Sequence, residues 1–159
     1  MIMQHVPSTK ATHTSKIADE LTHFLADTYM LYLKTQNFHW NVKGPNFYSL
    51  HKMFEEQYLE LATAIDELAE QIRALGSYTP ASFSQFLNLS SLKEATSKTS
   101  AETMVHELLK DHETMVSFAT TIITKAQKAQ DESTADILIQ RQKIHEKTAW
   151  MLKSTLKDA

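Results

Sequence analysis

Only two glycines and three prolines punctuate this chain of 159 residues. No other feature limits the fold as strongly. Sheets turn often and draw on glycine and proline to do so; a chain nearly without them runs in long helices. The stops that do occur fall at Gly44-Pro45 and at Gly76. From Ser15, the residues Ile17, Leu21, Phe24, Leu31 and Phe38 recur at helical spacing. Asp19 and Glu20 are then expected in the first turn, where the helix dipole favours acid, and Gly44-Pro45 stops the helix near Val42. Asn46 is placed to cap a second helix with the stripe Phe47, Leu50, Phe54, Leu61, Ile65, Leu68 and Ile72, ended by Gly76. Residues 77–98 form a long connection with two small apolar patches, ASFSQFL and SLKEA, and a connection of that length carries a short helix of its own. Thr99 and Glu102 have capping-box spacing. A third helix follows through Met104, Leu108, Leu109, Met115, Phe118 and Ile122. Asp131 to Thr134 start a fourth, with Ile137, Leu138, Ile144, Trp150 and Leu152. The expected fold is all-α: an antiparallel four-helix bundle over residues 15–159, with one long crossover between helices two and three. Residues 1–14 are polar and unpatterned, and read as a flexible tail.

Composition removes several classes of function. Without cysteine there is no disulfide and no thiolate chemistry, which suits a cytoplasmic location. The opening MIMQHVPSTK has no apolar signal core, and no apolar run approaches the length of a membrane span. A net charge of −3 gives no electrostatic reason to expect nucleic acid as the main partner.

The second helix carries the chemistry. At ~100° per residue, His51, Glu55, Asp66 and Glu70 fall within a ~100° sector beside the core stripe. Glu56, Glu60 and Glu67 form a third, acidic face. His51 with Glu55, and Asp66 with Glu70, are i,i+4 neighbours. The two pairs lie 11 residues apart, or ~16 Å along the axis, too far for one ion held by bonds of ~2 Å. A second copy removes the difficulty. His51 and Glu70, Glu55 and Asp66, and Leu59 and Ala62 are each symmetric about a point between Glu60 and Leu61. Two helices packed antiparallel about a two-fold there bring each residue to its counterpart, and two-fold dimers are the commonest oligomers. His39 and His51 lie six residues either side of Pro45, so a helical hairpin sets them side by side. Each site then has two imidazoles and a carboxylate from one chain, with two carboxylates from the other. That set suits Fe²⁺, Mn²⁺ or Zn²⁺. An intrachain di-iron bundle carries Glu-x-x-His repeats on two helices, and this chain lacks that pair.

At these residues the chain resembles the Dps family, the mini-ferritins known as DNA-binding proteins from starved cells. HWNVKGPNFYSLHKMFE (residues 39–55) looks like its first signature, IDELAEQI (65–72) its ferroxidase continuation, and HEKTAWMLKS (145–154) its last-helix motif. The resemblance implies a ferritin-like subunit in a hollow homododecamer. It implies ferroxidase sites at the two-fold interface, with His39, His51 and Glu55 of one chain and Asp66 and Glu70 of the partner subunit. The implied activity is oxidation of Fe²⁺, preferably by H₂O₂, with ferric mineral stored inside and protection against oxidative stress. Trp40 is implied as a redox neighbour of the iron. Asp131, Glu132 and Asp136 would line an entry pore, and Glu56, Glu60 and Glu67 would face the cavity and nucleate mineral. Glu55 stands where many members have Asp, and Gln71 where Arg is common. The tail has only Lys10 and Lys16, whereas members that condense DNA have lysine-rich tails, so a DNA-protecting shell is the alternative rather than the leading reading. His106, His112 and His145 lack matched carboxylates and read as structural or surface residues.

Overall fold

The computed structural model describes residues 9–95 and 98–156. Among these, five α-helices and no strand occur: α1 (Thr9–Asn41), α2 (Phe47–Ala74), α3 (Phe83–Leu89), α4 (Ala101–Lys128) and α5 (Glu132–Lys153). Short turns fold α1 onto α2 and α4 onto α5, so each pair is antiparallel. The two hairpins meet mainly through α1 and α4, while α2 touches α5 lightly. The long connection crosses between the hairpins and lays the short helix α3 against α1.

Helix α1 begins at Thr9, ahead of the expected Ser15, so Asp19 and Glu20 lie inside it and its first turn holds no acid. The start was illegible because Thr9 to Thr14 carries no apolar period. The rest of the expected tail lies outside the described residues.

The turns follow local chemistry. Gly44 takes φ +113°, and the Phe47 N–H closes the turn on the Gly44 carbonyl at 3.0 Å. Asn46 occupies the cap position, but its side chain makes no capping bond; instead the Ser49 hydroxyl donates to the Asn46 carbonyl. At the other end of α2, Gly76 N–H donates to Arg73 O at 2.9 Å and Ser77 N–H to Ile72 O at 3.2 Å, the paired bonds of a Schellman motif. Helix α4 ends the same way around Gln130, at φ +58°. Its start is capped by Ser100, whose hydroxyl accepts the Thr103 N–H at 3.1 Å, one residue later than Thr99 and Glu102 suggested. The last helix starts where expected, with Asp131 as its cap, accepting from Thr134 N–H at 3.1 Å.

The core is built from the apolar stripes: Leu21, Phe24, Leu31, Phe38, Phe54, Leu61, Leu68, Leu108, Met115 and Ile122 are fully buried. Two residues expected in it point outward, Phe47 at 44% exposure and Trp150 at 65%. Phe47 sits in the first turn of α2, against the hairpin turn rather than the bundle. Trp150 lies ~140° round the helix from the buried His145. The inner stripe of α5 is instead Ala135, Leu138, Arg141, His145 and Leu152.

Buried polar groups stitch the hairpins together. Lys34 of α1 donates to Asp111 of α4 at 2.7 Å. Asp27 accepts from the Ser90 and Ser91 hydroxyls and from the Ser91 and Leu92 N–H groups, at 2.6–3.2 Å, and so pins the segment after α3 to α1.

Candidate metal centre

His39 lies in the last turn of α1 and His51 in the second turn of α2, across the Gly44-Pro45 hairpin. Their rings stack with centroids 3.9 Å apart and planes 16° from parallel. Each Nδ1 donates to the other residue's backbone carbonyl, His39 to His51 and His51 to His39, both at 2.8 Å. A carbonyl only accepts, so each Nδ1 carries the ring's hydrogen. In the neutral ring the Nε2 lone pair is then left free, in the tautomer that binds a metal, and the orientation is fixed by backbone rather than by a mobile side chain. Phe47 stacks on His51 at 5.0 Å, and Tyr58 meets the His39 ring at 5.3 Å. The exposed Phe47 therefore buttresses His51 instead of filling the core.

Glu55 is one turn beyond His51 and is held by Lys52 at 2.7 Å. The hydrogen bond and charge of Lys52 lower the Glu55 carboxyl from its ordinary range, with His39 and His51 adding smaller effects. Such an exposed i,i+3 pair is weak and yields readily to a stronger cation. Asp66 and Glu70 are exposed further along α2. Among the described residues of the single chain, no three His, Asp or Glu side chains converge. The fold brings His39 and His51 together and leaves Glu55 beside Lys52, with Asp66 and Glu70 apart. Leu59, between these sets, is 56% exposed, and Trp40, next to His39, is 64% exposed.

The remaining expected site residues divide. Glu56 and Glu67 are exposed. Glu60 is engaged by two guanidinium N–H groups of Arg141, so its charge is neutralised within the subunit. Asp131 is occupied in capping α5 and also accepts from the Thr134 hydroxyl at 2.6 Å, while Glu132 and Asp136 are exposed. Gln71, at the position where the resemblance expected Arg, donates to Thr134 Oγ1 at 2.9 Å and so ties α2 to the start of α5 without an ion pair. Glu20 and His23, the chain's one Glu-x-x-His stretch, are turned to other work: Glu20 pairs with Lys125, and His23 Nδ1 donates to Leu89 O at 2.9 Å.

His112 and His145, read from the sequence as structural or surface residues, prove structural and belong to a polar cluster that the spacing did not reveal. His112 of α4 and His145 of α5 are buried, with their Nδ1 atoms 2.8 Å apart. Arg141 Nη2 lies 3.4 Å from His145 Nε2. A guanidinium only donates, so His145 Nε2 accepts and its Nδ1 carries the hydrogen given to His112. The His112 hydrogen is therefore on Nε2, which makes it a donor and not a ligand. Burial first, and Arg141 second, push His112 down to about 3, and burial lowers His145 as well. The signal was present: Asp111 and His112 at three and four residues from Leu108, and Arg141 and His145 at i,i+4, occupy inner-stripe positions.

A family model described as a ferritin-like domain matches residues 18–159. The chain is 42% identical over 141 residues to DNA protection during starvation protein 2 of Bacillus anthracis, covering 89% of this chain and 97% of that one. Its fold superposes on the crystal structure of a Dps protein from Bacillus brevis with a TM-score of 0.89 at 38% identity, over 92% of this chain and 98% of that one. The Dps protein of Vibrio cholerae O1, described as a member of a broad superfamily of ferritin-like diiron-carboxylate proteins, gives a TM-score of 0.89 at 33% identity over 92% of each chain. A matched helical hairpin carrying a paired-histidine site, on a five-helix chain alike to these over nearly its full length, places the protein in the Dps family of ferritin-like proteins.

Proposed function

We propose that this protein oxidises Fe²⁺, preferably with H₂O₂, at sites shared by two subunits, and stores the ferric product inside a hollow homododecamer. The observation that carries the reading is the reciprocal His39–His51 exchange, which leaves two oriented Nε2 acceptors near Glu55 but, among the described residues of their own chain, no converged set of three ligands. Asp66 and Glu70 of the partner subunit supply the missing oxygens when two α2 helices pack antiparallel between Glu60 and Leu61. Iron is substrate here, and the balance is 2 Fe²⁺ + H₂O₂ + 2 H₂O → 2 FeOOH + 4 H⁺. Three carboxylates and two imidazoles hold Fe²⁺ and stabilise the higher charge of Fe³⁺. Both electrons reach one peroxide from two irons, so little hydroxyl radical is released, which is the protective effect. Zn²⁺ or Mn²⁺ fits the same donor set and would compete. Glu132 and Asp136 are free to draw Fe²⁺ electrostatically at an entry pore. Mineral nucleation falls to Glu56 and Glu67, since Glu60 is held by Arg141. No described helix is long and apolar enough to cross a membrane, in keeping with a cytoplasmic store.

The test adds Fe²⁺ without oxygen and then titrates H₂O₂. The reading expects about one peroxide per two irons, with ferric iron eluting in a particle of dodecamer size. Iron that precipitates as it does in buffer contradicts it. Asp66→Ala should slow oxidation while the particle stays intact. The relative named for DNA protection supports a second reading, a DNA-binding shell with secondary iron chemistry. Retardation of DNA at low salt that disappears on removing residues 1–14 would establish that second reading; no retardation excludes it.

A further inference from the structure

A cleft of about 270 Å³ lies where α2, α4 and α5 meet, with Gln57, Glu60, His112 and Lys147 in its walls. Two of these side chains are almost wholly buried, His112 at 2% exposure and Gln57 at 9%. Neither His112 Nε2 nor either amide atom of Gln57 has a hydrogen-bond partner. The histidine pair explains the first of these atoms. His112 Nδ1 is spent on His145, so the hydrogen sits on Nε2, across the ring and towards the cleft. Each buried polar atom left unmet costs about 1–3 kcal/mol. Packing alone does not call for glutamine here: Phe54 and Leu61, one turn to either side of Gln57 on α2, are apolar and fully buried. The unmet atoms define what would satisfy them. The ligand accepts from His112 Nε2 and Gln57 Nε2, and donates to Gln57 Oε1. Lys147 adds a positive charge at the exposed edge. Glu60 adds no free negative charge, because two N–H groups of Arg141 hold it.

We propose that this cleft binds inorganic phosphate through His112 Nε2, Gln57 and Lys147, and turns its outer oxygens towards ferric ion at Glu56; the second half rests on the reading of Glu56 as a mineral-nucleating residue. Monohydrogen phosphate has acceptor oxygens for His112, Gln57 Nε2 and Lys147, and one hydroxyl for Gln57 Oε1. Sulfate, chloride and a carboxylate have no hydrogen to give, so each leaves Gln57 Oε1 unmet. Glu56 also lines the cleft and is exposed. Its charge opposes an anion as long as no cation lies between them. A ferric ion there is held by the carboxylate on one side and by phosphate oxygens on the other, so each partner strengthens the hold of the other.

The test takes the full, iron-free protein in phosphate-free buffer and measures radiolabelled inorganic phosphate by equilibrium dialysis. Each variant is first sized as an intact oligomer. The cleft should take up phosphate saturably, one per chain. Gln57→Leu should weaken binding about tenfold or more, and sulfate should compete about tenfold less well than phosphate, each through a buried polar atom left unmet. Lys147→Met should weaken binding by about three- to fivefold, the worth of one exposed charge. Glu56→Gln should tighten it, since a like charge is removed. The last two changes are at exposed positions and decide the matter even if Gln57→Leu assembles poorly. No saturable uptake, or equal affinity in Lys147→Met, Glu56→Gln and wild type, overturns the site and leaves its polar atoms to water alone. Fe²⁺ and H₂O₂ are then added to the loaded protein. Phosphate should stay with protein-bound ferric iron in wild type and be lost in Gln57→Leu; its release from wild type overturns the link to Glu56. If wild type oxidises iron no faster than buffer, the ferroxidase reading falls while the dialysis result stands by itself.

Discussion

Each Nδ1 of His39 and His51 is committed to the other residue's carbonyl, so the two rings are fixed by the hairpin itself. His112 and His145 are fixed by each other and by Arg141, which commits them to a neutral pair in the core. A histidine whose folded pKa lies below its unfolded value of 6.5 binds fewer protons when folded. Stability from His112 is therefore full above pH 6.5 and is lost as pH falls towards about 3, with a slope of up to ~1.4 kcal/mol per pH unit for each such group. His112→Gln keeps an acceptor for the His145 hydrogen and removes one titrating base. Urea midpoints measured from pH 7.5 to 4.5 should fall less steeply in that variant than in wild type, and parallel profiles would contradict the assignment.

Helix ends and connections make their own predictions. Gln130 takes a left-handed φ of +58° at the end of α4, a conformation that disfavours a side chain. Gln130→Gly keeps the same terminating bonds and should stabilise the chain by about 0.5–1 kcal/mol, read as a higher thermal midpoint. Asp27 accepts four hydrogen bonds from the segment after α3. Asp27→Ala leaves the Ser91 N–H and the Ser91 hydroxyl without their acceptor, with Leu92 N–H keeping only Ser90 Oγ, and should cost about 2–3 kcal/mol, with amide exchange quickening first at residues 90–92. The same elements show what was legible in the chain. The two hairpins and the short helix could be read because apolar period and glycine stops agree. The inner stripe of α5 could not, because Arg141 and His145 stand where the period asks for apolar residues, and only contact with Glu60 and His112 explains them. Caps slipped by one residue at Ser100 because neighbouring hydroxyls compete for the same N–H groups.

At the scale of the whole molecule, the chain leaves much apolar surface uncovered: Trp40, Leu59, Tyr78, Phe83 and Trp150 are each more than half exposed. Surface of this kind fits a subunit rather than a free monomer. Leu59 lies beside the proposed two-fold, so Leu59→Asp should shift the assembly to smaller species on sizing, and an unchanged particle would place the axis elsewhere. The proposed shared site rests on the spacing of His51, Glu55, Asp66 and Glu70, whose symmetry about one point needs no coordinates. The Lys52 contact to Glu55 was not legible in the sequence, since an exposed lysine has many choices. Subunit mixing tests the shared site most directly. His51→Ala and Asp66→Ala each break every site in their own oligomers. In a mixed dimer, one site loses both residues and the other is whole. Unfolding and refolding the two variants together should therefore restore about one site in four, measured as peroxide-dependent Fe²⁺ oxidation against wild type. Activity no higher than that of the separate variants would show that each site is built within one chain, and would contradict the account.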